Sequence, residues 1–166
     1  MNIFVIEFHI MDGILFKTCF VSTVSLTGLL CGASLDQSIK QLPARRVIGV
    51  KAFSDYAKAA DLKNGVLWYA LLGIGAALTS IITAILAWKY HSQEGYALPL
   101  YLGGFFAICH TICTSQAAPT YHSQKKITDE KSLEKLFDKF ELIQTFRSIF
   151  IVLNFICYLW VFILLL

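Results

Sequence analysis

Four long apolar stretches separated by shorter polar ones organise this chain. The clearest is Val66 to Trp88, VLWYALLGIGAALTSIITAILAW, which has neither charge nor proline. About 20 apolar residues cross a hydrocarbon core about 30 Å thick, and Trp and Tyr favour the two water–lipid boundaries. Trp68 and Tyr69 mark one end of the stretch, Trp88 and Tyr90 the other. Three further runs repeat the pattern. The expected fold class is all-α: an integral membrane four-helix bundle forming a single membrane domain, 1–166, with spans at about 13–35, 66–88, 98–118 and 144–166.

The polar stretches carry helix signals of their own. In Asp36 to Gly65, Pro43 suits a first helical position and Asn64-Gly65 a helix stop. Between them Ile48, Ala52, Phe53, Tyr56 and Ala60 share one helical face, while Lys51, Asp55 and Lys58 take the other. This predicts an amphipathic cytoplasmic helix between spans 1 and 2, with Phe53 and Tyr56 turned to membrane or bundle. Lys89 to Ala97 reads as a hairpin turning at Glu94-Gly95, and the third span is expected to stop before Pro119. Thr128 is the expected N-cap of the last helix, with Asp129 and Glu130 in its first turn. Nothing breaks that helix to Leu166. About 38 residues at 1.5 Å each give about 57 Å, so a long fourth helix is expected to extend into the cytoplasm.

Composition agrees with a membrane protein. Of the 166 residues 57% are hydrophobic and 15% charged, against roughly 25% charged in soluble chains, and the mean hydropathy is +0.64. The net charge of +3 does not point to nucleic acid, because the basic residues follow topology. Twelve of them (Lys40, Arg45, Arg46, Lys51, Lys58, Lys63, Lys125, Lys126, Lys131, Lys135, Lys139 and Arg147) fall on one side of a four-span arrangement, and Lys17 and Lys89 on the other. The positive-inside rule then places both termini on the non-cytoplasmic face of a multi-pass plasma or inner membrane protein. The opening MNIFVIEFHIMD carries Glu7 and Asp12 and no basic start. It is expected to be a short interfacial lead-in and not a cleaved signal. Cys19, Cys31, Cys109, Cys113 and Cys157 all lie in apolar runs, where cysteine acts as a small hydrophobe. The CHTIC segment matches neither CxxC nor CxxCH, and no metal site is expected.

Candidate chemistry is confined to a few polar positions. His110 sits about eight residues from the inner end of the third span, roughly 12 Å deep. It reads either as a proton carrier or metal ligand, or as a neutral histidine hydrogen-bonded to a serine or threonine of span 1. Glu141, Gln144, Arg147, Ser148 and Asn154 repeat at helical spacing, so this polar stripe should face inward. Asn154 most needs a partner there, and Arg147 is placed to snorkel or to reach Asp36. Arg45 and Arg46 follow Pro43 at an expected helix start. Two guanidinium groups beside free N–H groups make a candidate site for lipid phosphate or another anion. The alternative is pairing with Asp36.

The long connection LDQSIKQLPARRVIG…DYAKAADLKNG and the FDKFELIQTFRS entry to the last span resemble the small four-helix membrane proteins grouped with fungal anthrone oxygenases. The resemblance covers most of the chain in layout, and no catalytic residue is carried over from it. It implies a bundle that oxidises a flat hydrophobic aromatic without a tightly bound cofactor. Two function classes follow. One is an oxidoreductase or binder of a hydrophobic small molecule in a cavity near His110, Asn154 and Arg147. The other is a non-catalytic membrane protein, a partner subunit or lipid-interacting element. Membrane lipids are partners in both, and a second copy of the chain is open as a partner. A cavity with converging polar groups favours the first class.

Overall fold

The computed structural model describes residues 3–165, and of residues 3–12 and Asn64 the backbone only. The side chains of Glu7, His9 and Asp12, and Leu166, therefore lie outside the described residues. Every regular element described is helical: α1 (Ile3–Asp36), α2 (Leu42–Ile48), α3 (Val50–Ala59), α4 (Gly65–Tyr90), α5 (Ala97–Ser123) and α6 (Glu130–Leu164). Four helices, including the continuous Gly13–Ile48, are long and apolar enough to cross a membrane. They pack in chain order around a square, α1 against α4 and α6, and α5 against the same two.

The helices outrun the stop signals in the sequence. Pro43 does not begin a new helix, because α1 runs into α2 through a widened π-type turn, Gln37–Gln41. There the N–H of Leu42 reaches back five residues to the Gln37 carbonyl, a geometry that leaves room ahead of a proline ring. A second such turn, Ala60–Asn64, carries α3 into α4 straight across Asn64-Gly65. Pro119 lies inside α5. The helix continues past it because the next turn is held from outside: Tyr121 donates to Asp61 Oδ2 at 2.6 Å, and Ser54 donates to Gln124 Oε1 at 3.0 Å. Asp129, and not Thr128, caps α6, its carboxylate accepting from the Ser132 N–H at 2.9 Å. Hydrogen bonding from the Ser132 side chain, and then from that N–H, holds the Asp129 carboxyl below its usual range.

One residue reverses the chain between the first two long helical stretches. Gly49 has φ of 88° and is the only residue with positive φ among those described. An L side chain rarely adopts that conformation. Beyond it α3 buries Phe53, Ser54 and Ala57. Tyr56 is half exposed, and Lys51 and Asp55 are exposed.

Among the described residues the bundle holds three apolar cores. Leu42, Phe53, Ala57, Ala117, Tyr121, Leu133, Leu136, Phe137 and Phe140 pack at the charged end, so the polar connections form a helical layer with its own core. Leu30, Leu72, Ala76 and Ile151 pack in the middle, and Phe16, Phe20, Leu100, Tyr158 and Val161 at the far end. Close approach of α5 depends on Gly103-Gly104. A Cβ on Gly103 would lie 2.6 Å from the Tyr158 ring, and one on Gly104 would lie 2.7 Å from Ala84 Cβ.

Polar residues tie the helices together inside the square. The Thr23 and Thr83 hydroxyls share a bond of 3.0 Å between α1 and α4. Asn154 donates to the Ser80 hydroxyl at 3.3 Å, and Tyr158 donates to the Ser80 carbonyl at 2.7 Å, both crossing the diagonal from α6 to α4. The Gln144 amide and the hydroxyls of Ser34, Ser38 and Ser148 form a cluster between the α1 end and α6. Such bonds substitute for the hydrophobic drive that helices lack in lipid.

Candidate functional site: a cavity between the four long helices

A cavity of about 320 Å³ opens between α1, the turn Ala60–Asn64, α4, α5 and α6. Its existence follows from residue size. Ala70 and Gly73 of α4 face Ala117 and Ala118 of α5 across it, with nothing within 4 Å of the position a Gly73 Cβ would take. Leu30, Val66, Ile74 and Phe140 complete a mainly apolar wall.

Polar side chains converge on that wall from four elements. His110, 4% exposed, lines it from α5, and its Nε2 is buried without a hydrogen-bond partner among the described residues. Hence no hydroxyl of α1 satisfies that nitrogen, contrary to the structural reading of His110. Its carbonyl accepts from Thr114, another lining residue. Arg147 lines the cavity from α6, donating from Nη2 to Gln37 Oε1 at 3.3 Å, while its Nε is buried and unpartnered. It does not reach Asp36, which instead pairs with Lys40 at 2.5 Å and accepts from Gln41 on the outer surface. Gln37, one residue further along, continues the inward stripe of Thr23, Thr27, Leu30 and Ser34 and is the buried side chain there.

Asp61 and Tyr121 form the other polar part of the wall. Tyr121 stacks on Phe140 at 4.3 Å between centroids and meets Phe137 edge-on, which aims its hydroxyl at Asp61. Burial raises the Asp61 carboxyl above the usual carboxylate range, against the opposing pull of the Tyr121 hydroxyl and the Arg147 charge. Neither Tyr121 nor Asp61 stands out as a site residue in the sequence. The one available signal was a carboxylate one turn ahead of a 23-residue uncharged run.

The remaining candidates lie elsewhere. Asn154 is fully buried in the diagonal contact with Ser80, away from the cavity, its Oδ1 unpartnered. Arg45 and Arg46 do not form an anion site. No helix begins beside them, and their guanidinium groups are taken by acids of α6: Arg45 by Asp138 and by Glu141 at 2.7 Å, Arg46 by Glu141 at 3.2 Å. Asp36 is not their partner either. Among the described residues no group of three or more His, Cys, Asp or Glu is placed to hold a metal ion.

Comparison with known proteins gives no match: no family model, curated protein or solved structure is significantly similar to the chain.

Proposed function

We propose that this multi-pass membrane protein holds a hydrophobic small molecule in the cavity between its helices. The observation that carries the reading is the convergence of His110 and Arg147, each with a buried nitrogen unpartnered among the described residues, on one mainly apolar space. Buried polar atoms without partners are rare in folded proteins, and small-molecule sites combine apolar walls with a few such groups. Its volume lies at the small end of the usual range of about 300–1,000 Å³. Oxidation of the held molecule is the part of the reading that rests on resemblance to the anthrone-oxygenase group alone.

Purification in mild detergent, followed by an absorption spectrum and mass spectrometry of extracted small molecules, tests the proposal. Gly73→Leu is the control, since its side chain enters open space and fills the cavity. An apolar compound retained by the native protein and missing from Gly73→Leu is the expected result. The same extract from both proteins would sink the idea.

The proposal includes an orientation. The charged end carrying Arg45, Arg46, Lys51 and Lys58 stands on the cytoplasmic side in contact with lipid headgroups, and both termini lie across the membrane. The twelve-to-two distribution of basic residues supports it. Reporter fusions should give a non-cytoplasmic signal beyond Leu166 and a cytoplasmic one at Lys125-Lys126; the reverse pattern would overturn the orientation.

A further inference from the structure

The geometry points to an acidic oxygen headgroup, a carboxylate or phosphate on an apolar tail, as the chemical class seated on Arg147 in this cavity. The inference rests on the reading of the cavity as a binding site and goes further by naming the charge of what is bound.

Arginine is charged under all ordinary conditions and offers five donors in a rigid fork. Of the three arginines in the chain, Arg45 and Arg46 are neutralised by Asp138 and Glu141. Arg147 has no carboxylate within ion-pair distance among the described residues, and its one protein acceptor is the neutral amide oxygen of Gln37. Its Nε stays buried and free. Asp61, in the same wall, is engaged by the Tyr121 hydroxyl and makes no ion pair with Arg147, whose charge reaches it only at longer range. The cavity therefore has a cation without an ion-pair partner at its polar end and mainly apolar walls elsewhere. A cation in a low-dielectric setting requires a counter-charge or strong acceptors. A ligand that supplies oxygens to the Arg147 fork, reaches His110 Nε2 through the same headgroup, and lays its tail against Ile74 and Leu30 would satisfy every open group.

Radiolabelled dodecanoic acid and its methyl ester serve as probes, with equilibrium binding measured at pH 8 on the full chain in non-ionic detergent. The acid should bind at least about tenfold tighter than the ester, a factor worth about 1.4 kcal/mol. Arg147→Gln should bring the ratio to near one without weakening ester binding. Arg147→Lys, which keeps the charge, should keep much of the preference, and exposed Arg46→Gln should keep all of it. If Arg147→Gln does not fold, as judged by its melting curve, the native ratio and the lysine variant carry the test. Equal binding of acid and ester, both abolished by Gly73→Leu, would overturn the headgroup inference and leave the cavity reading standing. A preference for acid that survives in Arg147→Gln would also overturn it. Binding of neither probe, or binding indifferent to Gly73→Leu, would overturn both. Competition by phosphatidylglycerol for the labelled acid would identify a lipid headgroup as the source. Absence of competition would identify a free amphiphilic acid, and either result supports the same chemistry.

Discussion

Gly103→Ala is the sharpest test of how the bundle is packed. The added methyl would lie 2.6 Å from the Tyr158 ring, about 1 Å inside ordinary carbon–carbon contact. Tyr158 is fully buried, and its hydroxyl is tied to the Ser80 carbonyl at 2.7 Å, so the ring has little freedom to move aside. Overpacking of this size costs about 1–3 kcal/mol. Breaking the Ser80 bond to release the ring adds about 1 kcal/mol, while replacing a mid-helix glycine with alanine returns about 1 kcal/mol. The expected net loss is about 2 kcal/mol. Unfolding in mixed micelles titrated with a denaturing detergent measures it. Gly32→Ala, whose new methyl meets nothing within 4 Å, should lose nothing and gain up to about 1 kcal/mol from the same glycine-to-alanine change. In a Tyr158→Phe background the ring is no longer tied, and the cost of Gly103→Ala should fall by about 1 kcal/mol. A Gly103→Ala loss no larger than that of Gly32→Ala would refute the reasoning.

Two more predictions concern charges at the polar end. Burial raises the Asp61 carboxyl, so its favourable contribution is complete below the unfolded value of about 3.9 and is lost as pH rises through the folded value. Asp61→Asn should therefore match the native stability near pH 3.5 and exceed it at pH 7, the gap opening once and then staying flat; a gap independent of pH in unfolding titrations would contradict this. Arg45→Ala strips a guanidinium that is 5% exposed from its two acids. It should cost about 2–3 kcal/mol, at the low end for a broken buried pair because Asp138 and Glu141 keep some contact with water. Arg46→Ala, at 67% exposure, should cost less than about 1 kcal/mol. Equal melting shifts for the two variants would defeat the distinction.

The apolar runs made the four long helices legible, and the helical spacing of Gln144, Ser148 and Asn154 made their inward face legible. What escaped sequence reading has one physical source. Pro43, Asn64-Gly65 and Pro119 are local stop signals, but the charged end has its own apolar core, and packing there carries the helices through all three. The same blindness hid the site. Asp61 meets Tyr121 across 60 residues, and Arg45 meets its acids on α6 more than 90 residues away. No local pattern encodes such pairs. His110 and Arg147 could be found alone, because an ionisable residue in or beside an apolar run stands out wherever its partners are. Asp36 drew the expectation for Arg147 by its charge, whereas the inward stripe of Thr27, Leu30 and Ser34 continues to Gln37.

Each π-type turn holds one residue more than a regular helix would use, so Gln37–Gln41 and Ala60–Asn64 behave as single-residue insertions that the fold has absorbed without a loop. Deleting one residue from Gln37–Gln41 would close the wide turn to regular helix and leave Leu42 and Arg45 facing their present partners. The same deletion inside a regular stretch would turn everything after it by about 100° around the helix axis. The two turns are thus the places where these helices can lose a residue and still aim the same side-chain faces at their neighbours.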